Sequence, residues 1–305
     1  MKIYDRFGRP IENLRIIITT ACNYNCVFCH SEGYYHCFKD SYPMLTAKDV
    51  RKIGIIARRF EIDAVKITGG EPLLHPQILE IISTLRLLGF KDISLVTNGS
   101  LLWRLAYKLK EQGLTRINIS LVSLRENRYD VITQTKNMLP RVLEGISRAV
   151  EAGLNPVKIN VVVLRGINDD EIFDFIEFGR NNNVVIQFIE YHSSDTTNEL
   201  FKKFYRPIED LQKILESKAE RIIVRKMQGR RRYVVDGVEI ELVRPMFNST
   251  FCKNCIRIRA TPTGWKPCLL RDTIVGYSDS LRSKDLRGLA RKFIEAIRMR
   301  QPFFE

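Results

Sequence analysis

Six of the seven cysteines fall into two tight trios. One is Cys22-Asn-Tyr-Asn-Cys26-Val-Phe-Cys29; the other is Cys252-Lys-Asn-Cys255 with Cys268 following; Cys37 stands alone. Thiolate sulfur is a soft donor that favours iron–sulfur clusters, zinc or Cu(I). Three ligands are one short of the four that close a structural site. On a four-iron cluster, a trio leaves one iron without a protein ligand and open to a small molecule. The first trio lies on a single short loop, which favours iron–sulfur over a zinc knot with a distant fourth ligand. His30, adjacent to Cys29, is geometrically awkward as that fourth ligand and reads as a loop residue. The second trio, read by itself, is half a zinc ribbon lacking its fourth ligand.

These loops need a frame. Short β-rich runs at 16–19, 64–68, 93–97, 116–120, 158–163 and 184–189 alternate with helical patterns at 46–60, 76–88, 101–112, 139–152, 169–182 and 207–216. The runs read as mostly continuous apolar strands, the pattern of a parallel sheet covered on both faces. Thr46-Ala-Lys-Asp49 reads as a capping box that starts the first helix. Six βα units imply right-handed crossovers and an α/β fold, a partial (β/α)₆ TIM-like barrel short of the eight units of a closed one. A doubly wound open sheet is the alternative. Past residue 218 the pattern changes. Strands are expected at 221–225 and 233–243, with Asp236-Gly237 as a hairpin turn, and a final helix at 285–300. Residues 1–218 are therefore expected to form the barrel, and 219–305 a β-containing extension carrying the second trio and binding substrate.

Composition narrows the partners. The chain has 305 residues, 45% hydrophobic and 28% charged, a globular balance that excludes disordered and fibrous classes. No apolar stretch approaches the ~20 residues of a membrane span, and the N-terminus has no apolar leader. The expected setting is the cytoplasm, with no membrane partner, where thiols stay reduced. The formal charge of +14 favours anionic partners. Only Arg230-Arg231-Arg232 is a dense basic run, and no aromatic platform interleaves it on its N-terminal side. Nucleic acid, nucleotide phosphates and acidic lipid are the classes such a surplus suits, scattered charge reads first as a solvated basic surface, and nucleic acid is not expected to bind.

Cys-x₃-Cys-x₂-Cys with an aromatic before the last Cys resembles the radical S-adenosylmethionine superfamily. Thr68-Gly69-Gly70-Glu71-Pro72 after the second strand reinforces it. In the superfamily this segment holds the methionyl amino group. Two glycines allow close backbone approach, and Glu71 offers an acceptor for a cation. Thr97-Asn98-Gly99 and Ser120 end the third and fourth strands, where barrel enzymes build their sites.

Between the last cysteines, Cys255-Ile256-Arg257-Ile258-Arg259 puts two guanidinium groups on one face of an extended strand. Arginine forks suit phosphate and base edges. Taken with both trios, and with Asp5-Arg6-Phe7-Gly8-Arg9, Leu14-Arg15, Lys158-Ile-Asn160, Gly166-Ile-Asn168 and Phe188-Ile189-Glu190, the chain resembles the GTP 3′,8-cyclase family of molybdenum cofactor biosynthesis, especially its archaeal branch.

That resemblance implies two [4Fe–4S] clusters and S-adenosylmethionine. Cys22, Cys26 and Cys29 would hold the cleavage cluster, and Cys252, Cys255 and Cys268 the substrate-side one. Phe28, Gly70, Ser120 and His192 would line the cofactor site. Arg15, Lys66, Thr97, Lys158, Arg257 and Arg259 would contact GTP. A 5′-deoxyadenosyl radical would take the ribose 3′ hydrogen, and closure onto guanine C8 would give 3′,8-cyclo-7,8-dihydro-GTP. It further implies a ferredoxin- or flavodoxin-type electron donor, a homodimer, and a cyclic pyranopterin monophosphate synthase downstream. The chain departs from the bacterial pattern at Lys66 and Gln187, each where an Arg is common, at Val122 for Asp and at His192 for Met. It ends Gln301-Pro-Phe-Phe-Glu305, without a Gly-Gly tail. Two rival readings are a radical enzyme acting on a peptide or RNA, and a zinc-stapled nucleic-acid-binding protein.

Overall fold

The computed structural model describes residues 1–30, 44–193, 196–283 and 285–302. Cys37 and residues 303–305 of the C-terminal end lie outside them. The strands, in chain order, are β1 (Asn13–Ile17), β2 (Ala64–Thr68), β3 (Asp92–Thr97), β4 (Arg116–Ser120), β5 (Val157–Val163), β6 (Val185–Glu190), β7 (Arg221–Val224), β8 (Arg231–Val235), β9 (Val238–Val243), β10 (Arg257–Ala260), β11 (Gly264–Lys266) and β12 (Val275–Gly276).

They form one sheet ordered β12-β11-β10-β1-β2-β3-β4-β5-β6-β9-β8-β7. The six expected strands are its parallel core. Two strands of the extension widen that core: β10 pairs in parallel with β1, and β9 in parallel with β6. Antiparallel hairpins finish both edges. The Asp236-Gly237 turn has positive φ at both positions, as a type I′ hairpin requires.

The expectation of strands apolar on both faces is corrected. The strands alternate with period two. Leu14, Ile16, Val65, Ile67, Ile117, Ile119, Ile159, Val161, Ile186 and Phe188 are buried in the apolar core. Their neighbours Arg15, Lys66, Asn118, Lys158, Asn160 and Gln187 turn to the other face, into a cavity. A closed TIM barrel fills that space with side chains; here it is left open and polar.

Helices cover the apolar face. Thr46 and Asp49 form the expected reciprocal cap on helix Ala47–Arg59. The extension is welded to the barrel through this layer. Phe60 stacks on Phe293 of helix Leu286–Arg298 at 5.1 Å, and Trp265 of β11 packs on Phe293 at 4.8 Å. Trp265 and Phe293 are fully buried, so separating the two parts would expose large aromatic surface. Among the described residues, no helix is long and apolar enough to cross a membrane.

Candidate active site

The loop carrying Cys22, Cys26 and Cys29 leaves the C-terminal end of β1. Three partners fix its path. The Gly-Gly-Glu segment donates two backbone hydrogen bonds to it, Gly70 N to Thr19 O at 2.9 Å and Glu71 N to Ala21 O at 2.7 Å. The end of helix Glu126–Thr133, which the sequence patterns missed, accepts from Val27 N at 3.0 Å and Asn25 N at 3.2 Å. Asn98 Nδ2 donates to Asn23 Oδ1 at 2.9 Å. The glycines are required by this contact. A Cβ on Gly70 would lie 2.2 Å from Ala21 O, and one on Gly69 2.4 Å from Thr19 O, both inside any allowed contact. The close approach that needs glycine is therefore to the cysteine loop's own backbone.

Glu71 is fully buried and its oxygens are engaged inside the protein. They accept from Leu73 N at 2.9 Å, Thr97 Oγ1 at 2.7 Å and Asn98 N at 2.6 Å. Burial pushes its carboxyl up to about 7. Glu71 thus ties β2 to β3 beneath the cysteine loop. Thr97 is turned to Glu71 and, like Gly70, is not in the cavity wall.

The cavity holds about 680 Å³, and its wall includes the other substrate and cofactor candidates: Phe28, Ser120, His192, Arg15, Lys66, Lys158, Arg257 and Arg259. Cys252, Cys255 and Cys268 front it too. His30 and His192 face each other at its mouth, 4.8 Å between ring centres. Topology orders this wall. The first trio follows the C-terminal end of β1; Cys252 and Cys255 precede the N-terminal end of β10, its parallel neighbour. Cys268 follows β11, antiparallel to β10, and so returns to the same rim. The two trios therefore belong to opposite ends of the β1–β10 pair, and Phe28 and His30 bring the first loop into the cavity wall. The cations occupy the strand middles between those ends, with Arg259, Arg15 and Lys66 in one cross-strand row.

The electrostatics follow from burial and crowding. Lys66 Nζ donates to Asn118 Oδ1 at 2.8 Å; burial, with Arg116, Arg15 and Arg257 nearby, holds its ammonium well below the ordinary lysine value. Lys158 pairs with fully buried Glu241, and burial brings it down to about 8. Arg225 and Arg230 share that carboxylate at 3.2 and 3.0 Å. Burial opposes ionising Glu241, yet Arg230, Lys158 and Arg225 together hold it well below the usual carboxylate range. Sequence reasoning missed Arg116, Arg225, Arg230, Glu241, Asn118 and Asn160. Period-two alternation within the strands was the available signal for the two asparagines and Arg116, and the basic run at 230–232 was one for Arg230.

Both trios offer donor sets that suit clusters. Each Cys-x₂-Cys pair closes the same turn, Cys29 N to Cys26 O at 3.0 Å and Cys255 N to Cys252 O at 3.1 Å, which brings two thiols to one side. Among the described residues, no three His, Cys, Asp or Glu are gathered as one metal ion requires. Burial raises Cys22 to about 11, and burial with Cys29 and Cys22 raises Cys26. Burial also works against ionising Cys255, but Arg300, Arg257 and Arg259 outweigh it and pull it down, favouring the thiolate a cluster binds.

Comparison with known proteins agrees. Residues 16–179 match the Radical SAM superfamily model, and 184–305 match Molybdenum Cofactor Synthesis C. The chain is 42% identical to a probable GTP 3′,8-cyclase of Methanothermobacter thermautotrophicus, over 100% of this chain and 99% of that one. It is 42% identical to one of Pyrococcus abyssi over 99% of each chain. It is 41% identical to one of Saccharolobus solfataricus over 99% of this chain and 98% of that one. Among solved structures, Streptococcus suis SuiB bound to precursor peptide SuiA superposes with a TM-score of 0.68 at 14% identity, over 93% of this chain and 66% of that one. Native anSMEcpe with bound AdoMet gives 0.64 at 13%, over 92% and 82%; these two speak for the fold. By full-length identity to its relatives, and by a cysteine loop and strand frame that match the superfamily, this chain belongs to the GTP 3′,8-cyclase family of radical S-adenosylmethionine enzymes.

Proposed function

We propose that the chain converts GTP to 3′,8-cyclo-7,8-dihydro-GTP, the first step of molybdenum cofactor biosynthesis. One observation carries the reading: a single cavity has the second cysteine trio in its wall, Phe28 and His30 of the first trio's loop reaching into it, and a belt of buried cations. Cys22, Cys26 and Cys29 would hold one [4Fe–4S] cluster with S-adenosylmethionine, and Cys252, Cys255 and Cys268 a second that faces the guanine. When bound, the cleavage cluster and its cofactor supply a carbon radical able to take a hydrogen atom from the substrate.

The chain's own part is holding and shielding. Phe28, Ser120 and His192 line the end near the first trio and would seat the cofactor. Gly70 and Thr97 act one layer behind, by fixing the cysteine loop and Glu71. Arg15, Lys66, Lys158, Arg257 and Arg259 would grip GTP, with Arg257 and Arg259 nearest the second trio. Fixing the nucleotide in this cavity supplies the near-attack geometry that the ring closure needs, and the wall limits water and stray hydrogen donors. On the division at residue 218, 1–218 would carry the first trio, the cofactor residues and Arg15, Lys66 and Lys158, and 219–305 the second trio with Arg257 and Arg259. The reading carries with it a cytoplasmic setting, a ferredoxin- or flavodoxin-type donor, a homodimer and a downstream cyclic pyranopterin monophosphate synthase.

The test is anaerobic reconstitution with iron and sulfide, then reduction with S-adenosylmethionine and GTP deuterated at C3′. Roughly eight irons per chain, the cyclised nucleotide, and deuterium in 5′-deoxyadenosine are expected. Cofactor cleavage that leaves GTP unchanged and transfers no deuterium would refute the reading.

A further inference from the structure

The cavity's charges are not matched evenly. Arg116 forks onto Asp92 with two bonds of 2.7 Å, and Arg232 Nη1 reaches both oxygens of Glu239 at 3.0 and 2.9 Å. Each of these is one cation against one carboxylate. Around Glu241 the count is three against one, with Lys158, Arg225 and Arg230 all on the same group. Glu241 is fully buried, and the Lys158 and Arg230 side chains are 6% and 11% exposed. A buried surplus of charge is costly unless an anion completes it. All three cations front the cavity.

The cluster is also braced from the side, along the cavity wall. Arg230 Nη1 donates to Gln187 Oε1 at 3.3 Å, and Gln187 Nε2 donates to Asn160 Oδ1 at 2.8 Å. Asn160 Oδ1 also accepts from Asn118 Nδ2 at 3.2 Å, and Asn118 Oδ1 from Lys66 Nζ at 2.8 Å. A continuous polar belt thus links Lys66 on β2 to Arg230 at the start of β8, and fixes which way each amide points. A rigidly aimed guanidinium loses little on binding phosphate.

We propose that Arg230 and Arg225, delivered by the β7–β8 hairpin, join Lys158 in binding the polyphosphate of the nucleotide, with Glu241 as the resident counter-ion that holds the three in place until it arrives. Gln187 is a positioning residue for Arg230. This rests on the GTP reading and deepens it: the extension supplies phosphate ligands as well as the second cysteine trio. The site is for a di- or triphosphate, since one phosphate monoester would compete poorly with a carboxylate already seated.

The experiment is equilibrium binding of GTP, GDP and guanosine to anaerobically reconstituted protein without reductant. Arg230→Gln is expected to weaken GTP and GDP by about tenfold or more and to leave guanosine unchanged. Arg230→Lys, which keeps charge but loses the fork, falls between. Arg225 is 31% exposed, so Arg225→Gln is expected to fold and to lose GTP affinity severalfold with guanosine unmoved. Equal weakening of GTP and guanosine, or no weakening in either glutamine variant, overturns the proposal while the GTP reading stands. Wild-type protein that binds neither GTP nor GDP overturns both.

Discussion

The two cysteine trios share a turn and differ in what grips it. The first is held by main chain and neutral amides. The Gly-Gly-Glu segment and the end of helix Glu126–Thr133 fix the loop through main-chain bonds, Asn23 and Asn25 add side-chain ones, and burial raises Cys22 and Cys26. The second is held by guanidinium groups. Arg9 donates to Cys252 O at 2.9 Å and Arg300 to Cys255 O, and both arginines pair with buried Asp5, at 2.7 and 2.9 Å. Arg300, with Arg257 and Arg259, also draws Cys255 toward its thiolate. The contacts that hold the first loop carry no net charge. Guanidinium restraint is electrostatic, so the second trio and the substrate site share one field. The same ligand spacing thus serves two different jobs.

The sharpest way to break that contrast is to remove one thiol from each trio. Cys26→Ala is expected to abolish cleavage of S-adenosylmethionine altogether. Cys255→Ala is expected to retain slow cleavage without GTP and to lose cyclised product. Production of 5′-deoxyadenosine, assayed with and without GTP, reads both. Full cleavage in the first variant would contradict its role.

A smaller effect tests the backbone grip. Gly70→Ala drives a methyl into Ala21 O, and overpacking of this kind costs about 1–3 kcal/mol. Iron content after reconstitution is expected to fall toward that of one cluster while guanosine binding persists. Wild-type iron content in this variant would mean the close approach is dispensable.

The smallest effect concerns protons. Burial lowers Lys158 to about 8, against 10.5 ordinarily. Its cation is present below that value and lost above it. GTP affinity is expected to weaken as pH rises through about 8, and Lys158→Arg, which stays charged, to flatten the profile. An unchanged profile in the arginine variant assigns the titration elsewhere.

Much of this was legible in the residues. The turn geometry of each Cys-x₂-Cys, the Thr46 cap and the Asp236-Gly237 hairpin depend on neighbours within four positions, and sequence spacing encodes those directly. The six parallel strands came from apolar runs, but their sidedness did not: the runs read as apolar on both faces, and their polar residues are the wall of the cavity. Helix Glu126–Thr133 was missed because its pattern is short, with only Tyr129, Ile132 and Thr133 buried.

What the chain by itself determined is its inventory: two incomplete sulfur ligand sets, a glycine pair that tolerates contact, and a surplus of basic side chains. What only tertiary structure decided is their mutual arrangement. Pairing of β10 with β1 joins residues 244 positions apart, as Arg257 beside Asn13, and it alone sets the trios at opposite ends of that pair. Thr97 was drawn out of the wall by Glu71, and Arg225 and Arg230 were carried into it by a hairpin. Side-chain direction in a strand follows from register with its neighbours, and register between distant segments is fixed by packing the whole sheet at once.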